Sequence, residues 1–229
     1  MSLDSIRALT LDLFGTLLDV EASVLPGFTD FLATRRYPGS PRSVVQSWEN
    51  AYFQETMIDT LLGYGRTPFA QVRRAALSQV LFRLKIKHSA DEVESLVAPI
   101  QHGLVFPDVT EGLLALQSRY TLVVLSNGDL SSTERLVDHL SIPVDQVISA
   151  EQAGVYKPHP AVYRTAAEQL GLDKTQILHV ASHSWDIRGA KAFGMLGAYV
   201  NRANSPYGNS RFPPDLEVVD LFDLAARIP

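Results

Sequence analysis

Not one of the 229 residues is a cysteine, which removes disulfides, thiolate nucleophiles and cysteine-ligated zinc or iron–sulfur sites together. A basic excess is missing too. The 20 Lys and Arg against 25 Asp and Glu give a formal net charge of −5, so composition supplies no broad positive field for nucleic acid or an anionic membrane. No apolar run approaches the roughly 18 residues of a membrane span, and the opening Met1-Ser2-Leu3-Asp4-Ser5-Ile6-Arg7 lacks the basic end, apolar stretch and cleavage site of a secretory leader. A cytoplasmic protein is expected, with neither nucleic acid nor membrane as a partner; a homodimer is left open. What the chain does have is apolar content, 46% of its residues, enough for one large core and a smaller accessory lobe.

Residues 8 to 14 read as a buried strand that breaks into a Gly15-Thr16 turn. From about Ser40 to Gln101 the texture is helical, with Val44, Val45, Trp48 and Tyr52 on one stripe and Phe69, Val72, Ala76, Val80 and Leu84 on the next, at steps of three and four. Pro38-Gly39-Ser40-Pro41 and Gly63-Tyr64-Gly65 punctuate this lobe, and Phe106-Pro107-Asp108 is its exit. Beyond Pro107, short apolar runs (Thr121 to Leu125, Gln146 to Ser149, Ile177 to Ala181, Ala198 to Val200) alternate with helical patterns. One of these is expected to open on a capping box at Ser131-Ser132-Thr133-Glu134 and to run through Leu140. Another carries Val162, Ala166 and Leu170 on one face. Such alternation implies an α/β fold, a doubly wound, Rossmann-like parallel sheet with right-handed crossovers. The strand at 8 to 14 must join that sheet, so residues 19–103 form an inserted helical cap domain between core segments 1–18 and 104–229. Ser205 to Pro214 reads as a surface loop.

Chemistry concentrates at the ends of the apolar runs. Asp12 ends the first one, where a carboxylate is exposed and can act as a nucleophile; taken alone, an aspartate there is more often a loop or helix cap. Ser126-Asn127-Gly128 ends the second, offering hydroxyl, amide and backbone N–H groups either to an anion or to the following turn. Lys157 precedes Pro158, which disfavours helix and presents the amine from a loop. His183-Ser184-Trp185-Asp186 completes the set.

These clusters, in this order and with a helical insertion after the first, resemble the haloacid dehalogenase superfamily of aspartate-nucleophile hydrolases over essentially the whole chain. Asp12-Leu13-Phe14-Gly15-Thr16, Leu125-Ser126-Asn127-Gly128, Val155-Tyr156-Lys157-Pro158 and Ser184-Trp185-Asp186-Ile187-Arg188-Gly189-Ala190 are most similar to the type II, L-2-haloacid dehalogenases. The resemblance makes Asp12 the nucleophile and Lys157 the cation that keeps it ionised. Asp186 pairs with Lys157, caps the following helix, or does both. Thr16 either holds a carboxylate oxygen or satisfies the turn. Ser126 and Asn127 bind the substrate carboxylate, and Leu13, Phe14, Tyr163 and Trp185 line the pocket, although Tyr163 also lies beside the Val162 stripe and Trp185 also suits a core. The implied substrate, and the only implied small-molecule partner, is a 2-haloalkanoic acid converted to a 2-hydroxy acid. No cofactor or metal is expected.

Three departures sharpen this picture. Phosphatases of the superfamily carry a second acid two residues after the nucleophile, where this chain has Phe14, and a magnesium-binding acid where it has Ala181 or Ser182. Both absences argue against the alternative of a magnesium-dependent phosphatase. The dehalogenases carry asparagine where this chain has His183, which either activates the hydrolytic water or only hydrogen-bonds it. They also place a halide-binding arginine after the tryptophan of the helical lobe, where this chain has Glu49. Either Arg66, Arg73 or Arg74 substitutes for it, or the leaving group differs, for instance the protonated amine of a strained cyclic amino acid.

Overall fold

The computed structural model describes residues 3–229. In chain order the elements are β1 (Ala8–Leu11), β2 (Leu18–Asp19), α1 (Val20–Thr34), α2 (Pro41–Leu62), α3 (Phe69–Arg83), α4 (Ala90–Val97), β3 (Leu104–Val105), α5 (Val109–Gln117) and β4 (Thr121–Ser126). They continue with α6 (Leu130–His139), β5 (Gln146–Ser149), α7 (Ala150–Ala153), α8 (Pro160–Leu170), β6 (Ile177–Ala181), α9 (Ser184–Phe193), β7 (Leu196–Val200), β8 (Leu216–Val218) and α10 (Leu221–Arg227). The chain divides into two compact units, one running up to Leu18 and resuming over Val105–Pro229, the other spanning Asp19–Leu104.

In the first unit six parallel strands lie in the order β5-β4-β1-β6-β7-β8. Helices cross from β4 to β5, from β5 to β6 and from β6 to β7, the doubly wound α/β arrangement expected from the alternating runs, while a loop over residues 201–215 joins β7 to the edge strand β8. Strand β1 is fully buried along Ala8-Leu9-Thr10-Leu11, as a central parallel strand covered on both faces must be. Its neighbours are β4 and β6, with Leu11 opposite both Val124 and Val180. The connections run outward in opposite directions from β1. The C-terminal ends of β1, β4 and β6 therefore meet at the sheet's switch point, where such folds bind ligands.

The second unit is helical. Trp48 on α2 is completely buried, stacks on Phe28 of α1 at 5.6 Å, meets Tyr52 edge-on at the same distance and donates its indole N–H to Arg73 O on α3. Proline at its first position and Gly63 in the left-handed region (φ 70°) bracket α2. Ser89 and Glu92 form a reciprocal capping box on α4.

Several elements differ from expectation. Strand β1 ends at Leu11 rather than running to residue 14, because Leu13 O accepts the N–H groups of Thr16, Leu17 and Leu18 and diverts the backbone into a turn. Helix α6 opens at Leu130 with Asp129 as its cap, so Ser131 lies inside the first turn and caps nothing. Helix α1 was not anticipated: Val20, Val24, Phe28 and Leu32 form its buried stripe, but Pro26 and Gly27 interrupt the pattern. Among the described residues no helix is long and apolar enough to cross a membrane.

Candidate active site

Asp12 is carried one residue past β1, its N–H still donating to Val180 O of β6 at 2.9 Å. The turn that follows needs Gly15 at φ 81°, a conformation that residues with a Cβ rarely adopt. Within it Thr16 folds back so that its hydroxyl donates to Asp12 Oδ2 at 2.8 Å while accepting the Ser182 N–H at 2.9 Å. Thr16 thus serves the carboxylate, one of the two roles its sequence position allowed. Asp12 is 4% exposed, buried among partners yet still open at one edge.

Lys157 reaches the same carboxylate from the loop between α7 and α8, and its peptide bond to Pro158 is cis. Its backbone N–H donates to Asn127 Oδ1 at 2.8 Å, tying that loop to the end of β4. The ammonium donates to Asp12 Oδ1 at 2.7 Å, Asp186 Oδ2 at 2.6 Å and Leu125 O at 2.8 Å. An ammonium has three N–H donors, so this buried cation is saturated by two carboxylates and a strand-end carbonyl. Asp186 lies in the first turn of α9, whose cap is His183, so its alternative reading as the cap does not hold. Its Oδ1 accepts the Tyr163 hydroxyl at 2.6 Å and stands 3.0 Å from His179 Nε2.

Electrostatics follow from this packing. Burial acts to raise the Asp12 pKa, but Lys157, with His183 adding to it, outweighs burial and holds the carboxyl below the ordinary 3.8. Asp186 is likewise held low against burial, by His179 and then Lys157. Burial acts to lower Lys157, yet the two carboxylates push it above the ordinary 10.5. Burial and then the charge of Asp186 push the Tyr163 phenol well up, so it remains a donor. His183 Nδ1 stands 3.4 Å from Asp12 Oδ2, and that carboxylate lifts the imidazole above the ordinary 6.5 against the effect of burial.

The structure gathers Asp12, Thr16, Lys157, Asp186 and His183 into one cluster. Ser126 is fully buried at the end of β4, where its Oγ accepts the Gly128 N–H at 2.9 Å. The Leu13 side chain is fully buried and that of Phe14 half-buried. Trp185 is half-buried with its ring 5.3 Å from that of His183. Tyr163 is a correction to the expected pocket lining: it is fully buried, and its hydroxyl is spent on Asp186. Glu49 lies half-buried on α2, in the helical unit. Thr10 and His179 are residues that sequence reading missed. Both are fully buried within apolar strands, and they are joined at 3.0 Å between Thr10 Oγ1 and His179 Nδ1.

The donor set does not fit magnesium. That ion wants about six oxygens in octahedral array, whereas Asp12 and Asp186 both converge on an ammonium. Among the described residues no group of His, Cys, Asp or Glu is arranged to hold a metal.

A carboxylate at the switch point of a doubly wound sheet, clamped by a buried lysine, defines the class: an α/β enzyme with its chemistry at the strand ends. Residues 6–194 match the haloacid dehalogenase-like hydrolase family. The chain belongs to that family and is a hydrolase. It is similar to the (S)-2-haloacid dehalogenase of Pseudomonas sp. (strain YL), 31% identical over 98% of this chain and 97% of that one. A haloacetate dehalogenase of Moraxella sp. (strain B) is 28% identical over 93% of each chain. Among solved structures, the L-2-haloacid dehalogenase of Xanthobacter autotrophicus with chloropropionic acid covalently bound is 26% identical, with a TM-score of 0.83 over 96% of this chain and 97% of that one.

Proposed function

We propose that this chain hydrolyses a small 2-haloalkanoic acid through an ester of Asp12, without a metal. The observation that carries this reading is the Asp12 carboxylate itself, held by Lys157 at 2.7 Å on one oxygen and by Thr16 at 2.8 Å on the other. A divalent ion is replaced there by a fixed ammonium. The relative with covalently bound chloropropionic acid supports a covalent route.

In the first step an Asp12 oxygen attacks the carbon alpha to the substrate carboxylate, a C–O bond forming as the carbon–halogen bond breaks and the halide takes the electron pair. Attack inverts that carbon, so an L-2-haloacid yields a D-2-hydroxy acid. Halide leaves without a proton, so Phe14 in place of a general acid is no handicap. Ser126 and the Nδ2 amide of Asn127 receive the substrate carboxylate; the turn Leu13-Phe14 and Trp185 border the carbon chain. Tyr163 acts through Asp186.

Ester formation also changes His183. The Asp12 charge that favours its protonated form is gone, so the part-exposed imidazole holds its proton less tightly and gives it up to solvent when a base is needed. Neutral His183 takes a proton from water as the water adds to the acyl carbon of Asp12, and Lys157 stabilises the oxyanion. Collapse breaks the acyl C–O bond, the alkoxide takes the proton back from His183, the 2-hydroxy acid departs, and Asp12, left as the acid, passes its own proton to His183 to restore the starting ion pair. Asp12 keeps one oxygen from water.

Single-turnover incubation with L-2-chloropropionate and chelator in heavy-oxygen water tests this. Mass spectrometry should find the label in the peptide containing Asp12. Turnover with an unlabelled peptide means that water attacks the substrate directly, and turnover that stops with chelator returns the site to metal chemistry.

Glu49 favours a second reading. A carboxylate cannot receive halide but suits a protonated amine, so the same ester mechanism would open a strained cyclic amino acid, with ring strain replacing the leaving ability of halide. Loss of cyclic-amine turnover in Glu49→Gln supports this reading; turnover of haloacids and of no such amine removes it.

A further inference from the structure

Behind Asp186 lies a second layer of buried polar groups that the reaction above does not use. His179 sits on β6 facing the same way as Ile177, toward the core shared with Tyr163 of α8. Its ring meets the Tyr163 ring edge-on at 5.5 Å. Nδ1 is 3.0 Å from the Thr10 hydroxyl on β1, and Nε2 is 3.0 Å from Asp186 Oδ1 on α9. All four residues are fully buried. Beyond Asp186 the charged groups in line are Lys157 and then Asp12.

A polar imidazole inside an apolar strand is costly unless both nitrogens are used. A Thr10 hydroxyl that donates to Nδ1 leaves the proton on Nε2, the atom 3.0 Å from Asp186 Oδ1 and otherwise without a hydrogen-bond partner. The need for a further polar contact there follows from the charges: one ammonium faces two buried carboxylates. Without a further donor on Asp186, that carboxylate competes with Asp12 for Lys157. Tyr163 supplies one neutral donor to the same oxygen, at 2.6 Å.

We infer that His179 is a positioning residue: its Nε2 edge, with the tautomer set by Thr10, faces Asp186 Oδ1 at 3.0 Å, a polar contact short of hydrogen-bond alignment, and steadies that carboxylate so that Asp186 aims Lys157 at Asp12 without drawing it away. This rests on the reading of Asp12 as nucleophile. The chain of contacts Thr10, His179, Asp186, Lys157, Asp12 runs through β1, β6, the start of α9 and the loop between α7 and α8, so the strand core and the reacting carboxylate are electrostatically one unit.

Two measurements test it, one needing no turnover. In protein labelled with nitrogen-15 at histidine, the His179 resonances should show Nε2 protonated and Nδ1 as an acceptor. A Thr10→Val variant should disturb that pattern, and an Nδ1-protonated ring in the unaltered protein overturns the proposal whatever the enzyme turns over. In kinetics with L-2-chloropropionate, His179→Leu should lower kcat about tenfold with little change in KM, the usual scale for losing an orienting partner. In a His183→Asn background, which removes the histidine's own titration, it should also move the acid limb of the pH profile upward, because Asp12 loses part of its hold on Lys157. His179→Gln, whose amide N–H can reach the same oxygen, should restore both. Equal losses in the Leu and Gln variants, or an unmoved acid limb in the Leu variant, overturn it. An unaltered protein that turns over no 2-haloacid counts against the proposed function alone, and the resonance measurement still decides this point.

Discussion

Gly15 leaves the space that the His183 imidazole fills: a Cβ built on residue 15 would lie 2.7 Å from His183 Cε1 and 3.2 Å from Nε2. The same glycine holds φ at 81°. Gly15→Ala is therefore penalised twice, by left-handed backbone and by displacement of the histidine. We expect a destabilisation of about 1–3 kcal/mol, measured as a lower urea midpoint at unchanged slope, together with a loss of activity larger than the stability change explains. An alanine variant of full activity would mean that His183 can move away without consequence.

His183 should also write itself into the pH profile. Its protonated form is favoured beside ionised Asp12, so its folded pKa lies above the ordinary 6.5. The free enzyme holds that proton to a higher pH than an isolated imidazole does, and single-turnover ester formation should speed up as pH rises through the folded value and Asp12 loses its positive neighbour. The sign for stability is opposite. A raised folded pKa contributes stability that is fully present below about 6.5 and is lost as pH rises through the folded value. His183→Asn should abolish the alkaline rise in ester formation and flatten stability over the same window. An asparagine variant with the parent's profile places the titrating group elsewhere.

How far the sequence carried this picture is clearest at the strand ends. Asp12 was readable as a charged residue where an apolar run stops, and Lys157 before Pro158 and Asp186 in its motif were readable through the family resemblance; the structure joins all three through one ammonium. Thr10 and His179 were not readable, because each sits inside such a run and a buried strand has no alternation to disturb. Their relation is a register fact: Thr10 pairs with His179 across β1 and β6. Strand length failed for a similar reason, since Leu13 and Phe14 are apolar but their backbone is turned by hydrogen bonds no composition encodes. The helical unit was readable from its stripes, except where Pro26 interrupts α1.

Lys157 combines structure and chemistry, and the two separate by substitution. Lys157→Met keeps the stem but leaves Asp12 and Asp186 facing each other, both buried. Removing one partner of a buried ion cluster costs about 3–5 kcal/mol, and one carboxyl should then take up a proton. Calorimetry at several pH values should show proton uptake on folding that the parent lacks, with no measurable turnover. Lys157→Met paired with Asp186→Asn should recover stability but not activity. Recovery of activity in the double variant would remove Lys157 from the reaction.

Arg202 supports the turn after Asp12 from behind, which gives the last expectation. Its guanidinium makes two bonds to Asp108, at 2.8 and 2.9 Å, and its Nε–H donates to Thr16 O at 3.0 Å. Asp108 Oδ2 also accepts the Leu221 N–H at the start of α10. Burial acts to raise Asp108, but Arg202 and the Leu221 N–H outweigh it and hold the carboxyl below the ordinary 3.8. A depressed folded pKa contributes stability that is present above about 3.8 and is lost as pH falls through the folded value. Asp108→Asn should therefore cost about 1–3 kcal/mol at pH 7, where it leaves a part-buried guanidinium without its counter-charge, and much less once the parent carboxyl is protonated. Urea midpoints of parent and variant should converge on acidification. If they stay parallel, the cost of the substitution lies in packing and not in charge, and the Thr16 carbonyl is held by something other than the Arg202 pair.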